Sequence, residues 1–178
     1  MGRAFDDITP AMIEFIERQH MFFVATAPVS GGRVNVSPKG YDTFRVLDSA
    51  TVCYLDITGS GSETIAHLRE NGRITFMFCA FEGKPNIVRL YGTGRIVRSG
   101  DEEYDELIEG FDSVNGARSI VIADINRTST SCGYSVPFMD FNEERSRLDD
   151  HWSAKTDDEI AEYWERKNTQ SIDGLPSL

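Results

Sequence analysis

Thr58-Gly59-Ser60-Gly61-Ser62-Glu63-Thr64 runs directly into Ile65-Ala66-His67-Leu68-Arg69-Glu70 and stops at Asn71-Gly72. Two glycines permit a tight turn and a close approach of backbone to a ligand. Thr58, Ser60, Ser62 and Thr64 add hydroxyls that can donate hydrogen bonds. The next residues continue as a helix, and Asn71-Gly72 is a usual C-terminal cap. Free N–H groups at the start of such a helix favour negative charge, so the stretch reads as an anion cradle. A plainer account fits the same residues: Ser60 and Glu63 form the S-x-x-E pattern of a capping box, which satisfies helix donors and binds nothing. On these residues alone both accounts stand.

Around this short helix the chain is mostly β. Upstream, Met21 to Ala27 is an apolar run and a predicted strand buried on both faces. Ser30-Gly31-Gly32-Arg33 is a hairpin turn, and the strand back, Val34 to Ser37, ends at Pro38, which cannot donate to a ladder. Phe44 to Leu47 and Thr51 to Ile57 are two strands around Asp48-Ser49-Ala50. Downstream, Arg73 to Phe81 alternates Ile74, Phe76, Phe78 and Ala80, and Ile87 to Val97 is a strand bent at Gly92 and Gly94. Ser119 to Ile125 is a further strand, and Thr130 to Pro137 reads as a strand end or loop.

Helices flank this set. Thr9 caps and Pro10 starts the first, whose stripe is Met12, Ile13, Phe15 and Ile16. Ser99 with Glu102 and Thr156 with Glu159 are two more capping-box patterns. Apolar stripes follow both: Tyr104, Leu107, Ile108, Phe111 after the first, and Ile160, Tyr163, Trp164 after the second. The end, Ser171 to Leu178, has no helical pattern and is expected to be mobile. Strands and helices do not alternate regularly, which disfavours a doubly wound parallel sheet. The expected fold class is α+β, a domain built on an antiparallel barrel with flanking helices. Residues 1–178 are read as one domain, with 1–20 an N-terminal helix and 140–178 a helical C-terminal extension and tail.

Composition bounds the partners. Lys plus Arg is 18 and Asp plus Glu is 29, for a formal net charge of -11. That argues against nucleic acid or an anionic membrane as main partner, and leaves room for one phosphate held locally. The three cysteines, Cys53, Cys79 and Cys132, make no C-x-x-C pattern, and a reduced, cytoplasmic setting is expected. His20, His67 and His151 show no metal-ligand spacing. No signal peptide is visible, and the longest apolar run near the start is too short to span a bilayer.

The order of these pieces resembles the pyridoxamine 5′-phosphate oxidase-like family of FMN-binding split barrels. The residues that carry the resemblance are Phe22-Phe23-Val24-Ala25-Thr26, Val34-Asn35-Val36-Ser37-Pro38-Lys39-Gly40, Val52-Cys53-Tyr54-Leu55-Asp56, Ser62-Glu63-Thr64, Leu68 to Phe78, and Arg89-Leu90-Tyr91-Gly92-Thr93-Gly94. The resemblance implies that the barrel is an antiparallel split β-barrel with flanking helices, and that the protein is a homodimer with FMN at the subunit interface. It places Val36, Ser37, Pro38 and Lys39 at the edge of the flavin ring and Tyr54 and Leu55 along the ring and ribityl chain. Ser62 and Thr64 match positions that hold the phosphate, with Thr58 of the same hydroxyl-rich turn beside them, and Cys132 and Tyr134 fall on a loop that closes the partner's site. Phe22, Phe23, Phe76, Phe78 and Phe81 exceed what one small barrel needs, so a core shared across a two-fold axis is expected.

Two departures from the biosynthetic oxidase matter. Its basic phosphate-binding positions match Glu63 and Thr64, and a carboxylate beside a phosphate is repulsive. Either Glu63 turns away to cap Ser60, or Lys39 or Arg89 supplies the charge, or the affinity is low. Its Arg-rich C-terminal segment has no equivalent here. The resemblance therefore carries the cofactor and not the vitamin substrate. The leading expectation is an FMN-dependent oxidoreductase acting on a small-molecule substrate or reductant, with Lys39 near the ring favouring reduced flavin. The alternatives are a flavin carrier or sensor without turnover, and the same barrel holding a deazaflavin or haem.

Overall fold

The structure is a computed structural model and describes residues 2–112 and 115–178. The elements run β1 (Arg3–Phe5), α1 (Pro10–Glu17), β2 (Phe22–Thr26), β3 (Asn35–Lys39), β4 (Phe44–Val46), β5 (Thr51–Ile57), α2 (Glu63–Asn71), β6 (Arg73–Cys79), β7 (Ile87–Arg98), α3 (Glu102–Ile108), β8 (Ala117–Ser131), α4 (Arg147–Ser153) and α5 (Asp157–Lys167). No helix among the described residues is long and apolar enough to cross a membrane.

All strand pairs are antiparallel, in the order β3-β2-β6-β7-β8-β5-β4, with β1 added to β8. Among the described residues no ladder joins the two ends of this path. The sheet curls instead, and side chains meet across the gap. Phe44 of β4 touches Phe22 of β2 and Phe78 of β6, each with ring centroids 4.9 Å apart. The expected antiparallel split barrel is therefore the observed one, closed along one seam by side chains rather than backbone.

β5 is buried on both faces because it separates two cores. Val52 and Tyr54 face the barrel interior with Phe22, Phe76, Phe78 and Leu90. Cys53 and Leu55 face the other way, beneath α3, with Val97, Tyr104, Ile120 and Ile122. For three of the five aromatics this corrects the expectation of a shared core, while Phe23 and Phe81 are only half-buried. Phe22, Phe76 and Phe78 fill the chain's own barrel, packed edge-on with Phe44 and Tyr54, and need no partner to bury them.

Several local expectations hold. Thr9 caps α1 with Pro10 at its start. Gly72 ends α2 in the left-handed region, with φ +71. The box of Thr156 and Glu159 forms at α5. Others differ. β2 alternates rather than being buried on both faces. β3 continues through Pro38 to Lys39, because β3 is an edge strand and Pro38 has no donor to lose there. Neither of the other boxes forms: α2 starts at Ser62 without a side-chain cap, and α3 starts at Asp101. No sequence pattern marks β1 or α4, which are only three and seven residues long.

The largest difference is the tail. Residues 168–178 fold into a hairpin pinned by an isolated bridge between Gln170 and Pro176. Its Asn168, Ser171 and Ser177 are buried, so it is docked rather than mobile.

β7 and β8 change register at Tyr91 and Gly92. A methyl group on Gly92 would overlap the Asp124 carbonyl of the neighbouring strand, a backbone atom that cannot swing aside. Gly92→Ala should lower stability by about 1–3 kcal/mol, the usual cost of overpacking. A denaturant midpoint that stays at the wild-type value would show that the bulge relaxes freely.

Candidate functional site at the barrel seam

Three charged side chains meet where the seam would otherwise be open. Asp56 lies on β5, Lys39 on β3 at the opposite end of the sheet path, and Arg118 on β8. Lys39 Nζ is 3.0 Å from Asp56 Oδ1. Arg118 donates to Asp56 Oδ2 from Nε at 2.9 Å and from Nη2 at 2.7 Å. The Asp56 and Arg118 side chains are 2% and 4% exposed, and that of Lys39 is 21% exposed. Two cations thus share one carboxylate, which leaves one positive charge uncompensated within the triad.

A β-bulge makes this possible. Asp56 pairs with Ser119 and Ile57 with Ala117, so Arg118 is the extra residue. An extra residue bends its strand and re-aims side chains, and here it turns a guanidinium inward to the carboxylate. Arg118 also donates to the Gly61 carbonyl at 3.2 Å. The cation is thereby tied to the loop that precedes α2.

Above the triad, alternate residues of β3 make a polar strip. Ser37 donates to Asn35 Oδ1 at 3.0 Å, and Asn35 Nδ2 donates to Thr64 Oγ1 at 3.1 Å. Thr26 Oγ1 lies 2.9 Å from His67 Nδ1. Two buried polar atoms beside this strip have no partner among the described residues: Tyr54 Oη and His67 Nε2. Burial, and then the Asp56 charge, pushes the Tyr54 phenol well above its usual range, so it stays a neutral donor. Burial lowers the His67 pKa and keeps the imidazole neutral.

The loop from Thr58 to Glu63 has two sides. Its inner side meets Arg118, at the Gly61 carbonyl. Its outer side is covered by the C-terminal segment. Trp164 Nε1 donates to Thr58 Oγ1 at 2.9 Å, and Trp152 Nε1 to the Thr58 carbonyl at 3.0 Å. Asn168 Nδ2 donates to the Gly59 carbonyl at 3.0 Å, and the Ser62 and Ser177 hydroxyls lie 2.8 Å apart. Glu63 Oε1 accepts from the Ile172 N–H at 3.1 Å. Glu63 therefore turns outward, to the hairpin, instead of capping Ser60.

The sequence-predicted residues divide along these faces. Ser37, Lys39, Tyr54 and Thr64 gather along the strip and its triad. Val36 and Pro38 point from the opposite side of β3 and are exposed, because successive strand residues face opposite ways. Leu55 faces the second core under α3. Thr58 and Ser62 are taken up by the C-terminal segment. Cys132 and Tyr134 lie past the far end of β8, on the order of 40 Å of extended strand from Arg118. One chain does not bring them to the strip. Sequence reasoning misses Arg118 and Asp56 as a pair. A lone Arg before Ser119 carries no signal, because only the bulge aims it inward.

This curled antiparallel barrel, with a charged seam beside a helix start, defines a split-barrel protein. Residues 8–132 match the family described as Pyridoxamine 5'-phosphate oxidase, and the chain belongs to that family. It is 39% identical over 191 residues to the Pyridoxamine 5'-phosphate oxidase family protein ustO of Aspergillus flavus, covering 98% of this chain and 77% of that relative. Among solved structures, HupZ of Group A Streptococcus matches 68% of this chain and 91% of its own, with TM-score 0.54 and 27% identity. The FAD binding protein of Mycobacterium smegmatis matches 71% and 97%, with TM-score 0.51 and 14% identity. Trp152, Trp164 and the hairpin all lie beyond the part that matches the family.

The triad should dominate acid sensitivity. Burial alone would raise the Asp56 pKa, but Lys39 and Arg118 outweigh it and hold it below the ordinary 3.8. A carboxylate with a depressed folded value stabilises the fold above about its unfolded value, and loses that contribution as the pH falls through the folded value. Asp56→Asn leaves two buried cations without their partner and should cost about 3–5 kcal/mol at neutral pH. It should also flatten the loss of stability below about pH 4. Thermal melts between neutral and acid pH, run on both proteins, check this; parallel acid limbs would remove Asp56 from that role.

Proposed function

We propose that this chain is an FMN-dependent oxidoreductase acting on a small molecule, with the flavin held along the polar strip at the seam. The observation that carries the reading is the uncompensated positive charge of Lys39, Arg118 and Asp56, next to the start of α2 and the unpartnered Tyr54 phenol. A phosphate and a reduced flavin ring are both anionic, and a low-dielectric cation favours each. Bound FMN would supply the redox chemistry itself. The chain's residues would do the rest. Thr64 and the N–H groups at the start of α2 would donate to the phosphate, with Arg118 adding the charge. Tyr54 and Ser37 would orient polar edges, and Lys39 would bias the ring toward its reduced form.

The fit is partial, and it moves the phosphate. The hydroxyls of Thr58 and Ser62 already bond the C-terminal segment, so the inner side of the loop suits an anion and the outer side does not. Family membership supports a flavin, and the FAD binding protein with the same fold is in keeping with one. We extend the reading to a homodimer. Support comes from apolar residues left outside the core: Val36 on the edge strand and Val34 just before it, and Tyr134, Phe138 and Met139 after β8. In this arrangement Cys132 and Tyr134 would reach the strip of the second copy, and the protein would work in the cytoplasm.

The test begins with the chromophore. Purified protein should carry flavin absorption, heat should release FMN, and NADH or NADPH should bleach the bound form. A chromophore that is not a flavin ends the proposal, and bound FMN that no reductant turns over leaves a carrier. Lys39→Met should lower the midpoint potential by on the order of tens of millivolts, for a lost term of about 1–2 kcal/mol. A redox titration reads this; an unchanged potential removes Lys39 from the ring. Sedimentation should give a dimer whose stability rises with FMN. A fully loaded monomer would refute the shared site.

A further inference from the structure

Glu63 stands at the first residue of a helix whose N–H groups face the anion site, where a negative charge would be at home. A carboxylate free to swing inward would occupy that site itself and repel a phosphate. It does not swing inward here, because the Ile172 N–H of the C-terminal hairpin holds its Oε1 at 3.1 Å.

The hairpin is itself fixed at several points. Asp173, at its tip, accepts from the Arg33 backbone N–H at 2.6 Å and pairs with the Arg33 guanidinium. Arg69 and Arg98 both donate to the Ser177 carbonyl. Ser177 bonds the Asn168 carbonyl, and Asn168 reaches Gly59. These contacts lie on the outer side of the loop. The inner side holds Arg118 at Gly61 and the buried, unpartnered Tyr54 Oη near Thr64. Asp56, the acidic group beside Arg118, is already paired.

We propose that the C-terminal hairpin is the element that sets the ligand preference of this barrel, by holding the Glu63 carboxylate away from the anion site at the start of α2. An acidic residue at a phosphate-binding position is tolerated because a segment outside the family-matching region gives that carboxylate another partner. Ile172, Asn168 and Ser177 are positioning residues in this scheme. The inference rests on the placement of the flavin phosphate proposed above, but its test does not need a flavin.

Ile172 permits a clean test. The Gly174 N–H donates to the Ser171 carbonyl at 2.9 Å, which closes a four-residue turn with Ile172 at its second position. Proline suits that position, and it has no N–H. The Ile172 side chain is exposed, so Ile172→Pro removes the donor to Glu63 and little packing. The full chain, Ile172→Pro, and Ile172→Pro with Glu63→Gln would be titrated with inorganic phosphate while the Thr64 and Ile65 amide resonances are followed. Phosphate should bind the full chain saturably, bind Ile172→Pro about tenfold more weakly, and recover in the double variant, because Glu63→Gln leaves no charge to swing inward. The FMN-to-riboflavin affinity ratio should fall and recover in the same pattern. Equal phosphate affinity for Ile172→Pro and the full chain overturns the proposal. So does a failure of Glu63→Gln to restore binding, which is what a hairpin that merely unravels would give, and so does a full chain that takes up no phosphate at these amides. A full chain that binds phosphate but no flavin keeps this inference and ends the flavin reading instead.

Discussion

A curled antiparallel sheet that stops short of closing has two ends to hold together, and here one carboxylate bridges them. Asp56 accepts from Lys39 on one side of the seam and from Arg118 on the other. Such an arrangement is not a strong source of net stability, because desolvating three charges costs much of what their attraction returns. Its consequence is geometric. The triad fixes the distance between β3 and β5, places a residual positive charge at the seam, and ties Gly61 to Arg118. The polar strip of Asn35, Ser37 and Thr64 then lies in a defined register above it.

The loop before α2 is held from both sides. Arg118 holds it from within the barrel, and Trp152, Trp164 and Asn168 hold it from without. Gly116 is the residue that lets the outer layer approach. It has φ +75, and a Cβ there would stand 2.5 Å from the Trp152 ring. Trp152 can then lie against the chain and reach Thr58. Thr58 itself is bonded twice to Gly116, through its N–H and its hydroxyl. A loop rich in glycine and serine, which alone would sample many conformations, is in this way given one.

The family-matching region, residues 8–132, supplies the sheet, the strip and the triad. The remainder supplies the outer support of the loop before α2. At the bulge, Arg118 brings a guanidinium to the inner side of that loop, and the Glu63 carboxylate is directed to a backbone N–H of the segment beyond residue 132.

Periodicity and caps were enough for the sheet. Alternation in Arg73 to Phe81, the turn at Ser30 to Arg33, Thr9-Pro10 and Asn71-Gly72 are local signals, and local chemistry decides them. They yielded an antiparallel α+β barrel and the positions of most elements. Of the strip, Thr64 was legible in the hydroxyl-rich stretch before the helix, whereas Ser37, Lys39 and Tyr54 were marked by the family resemblance. What the chain could not state locally was everything that depends on distant partners. Arg118 turns inward at a bulge, where the register of β5 against β8 shifts between Asp56 and Ile57. Glu63 leaves its own helix only because Ile172, 109 positions later, offers a donor. The tail reads as mobile because no pattern in it predicts a partner, yet Asn168 and Ser177 are buried by loops on the far side of the sequence. Propensity and period act over a turn or a strand pair. Charge pairing and buried hydrogen bonds act over whatever distance the fold has already closed.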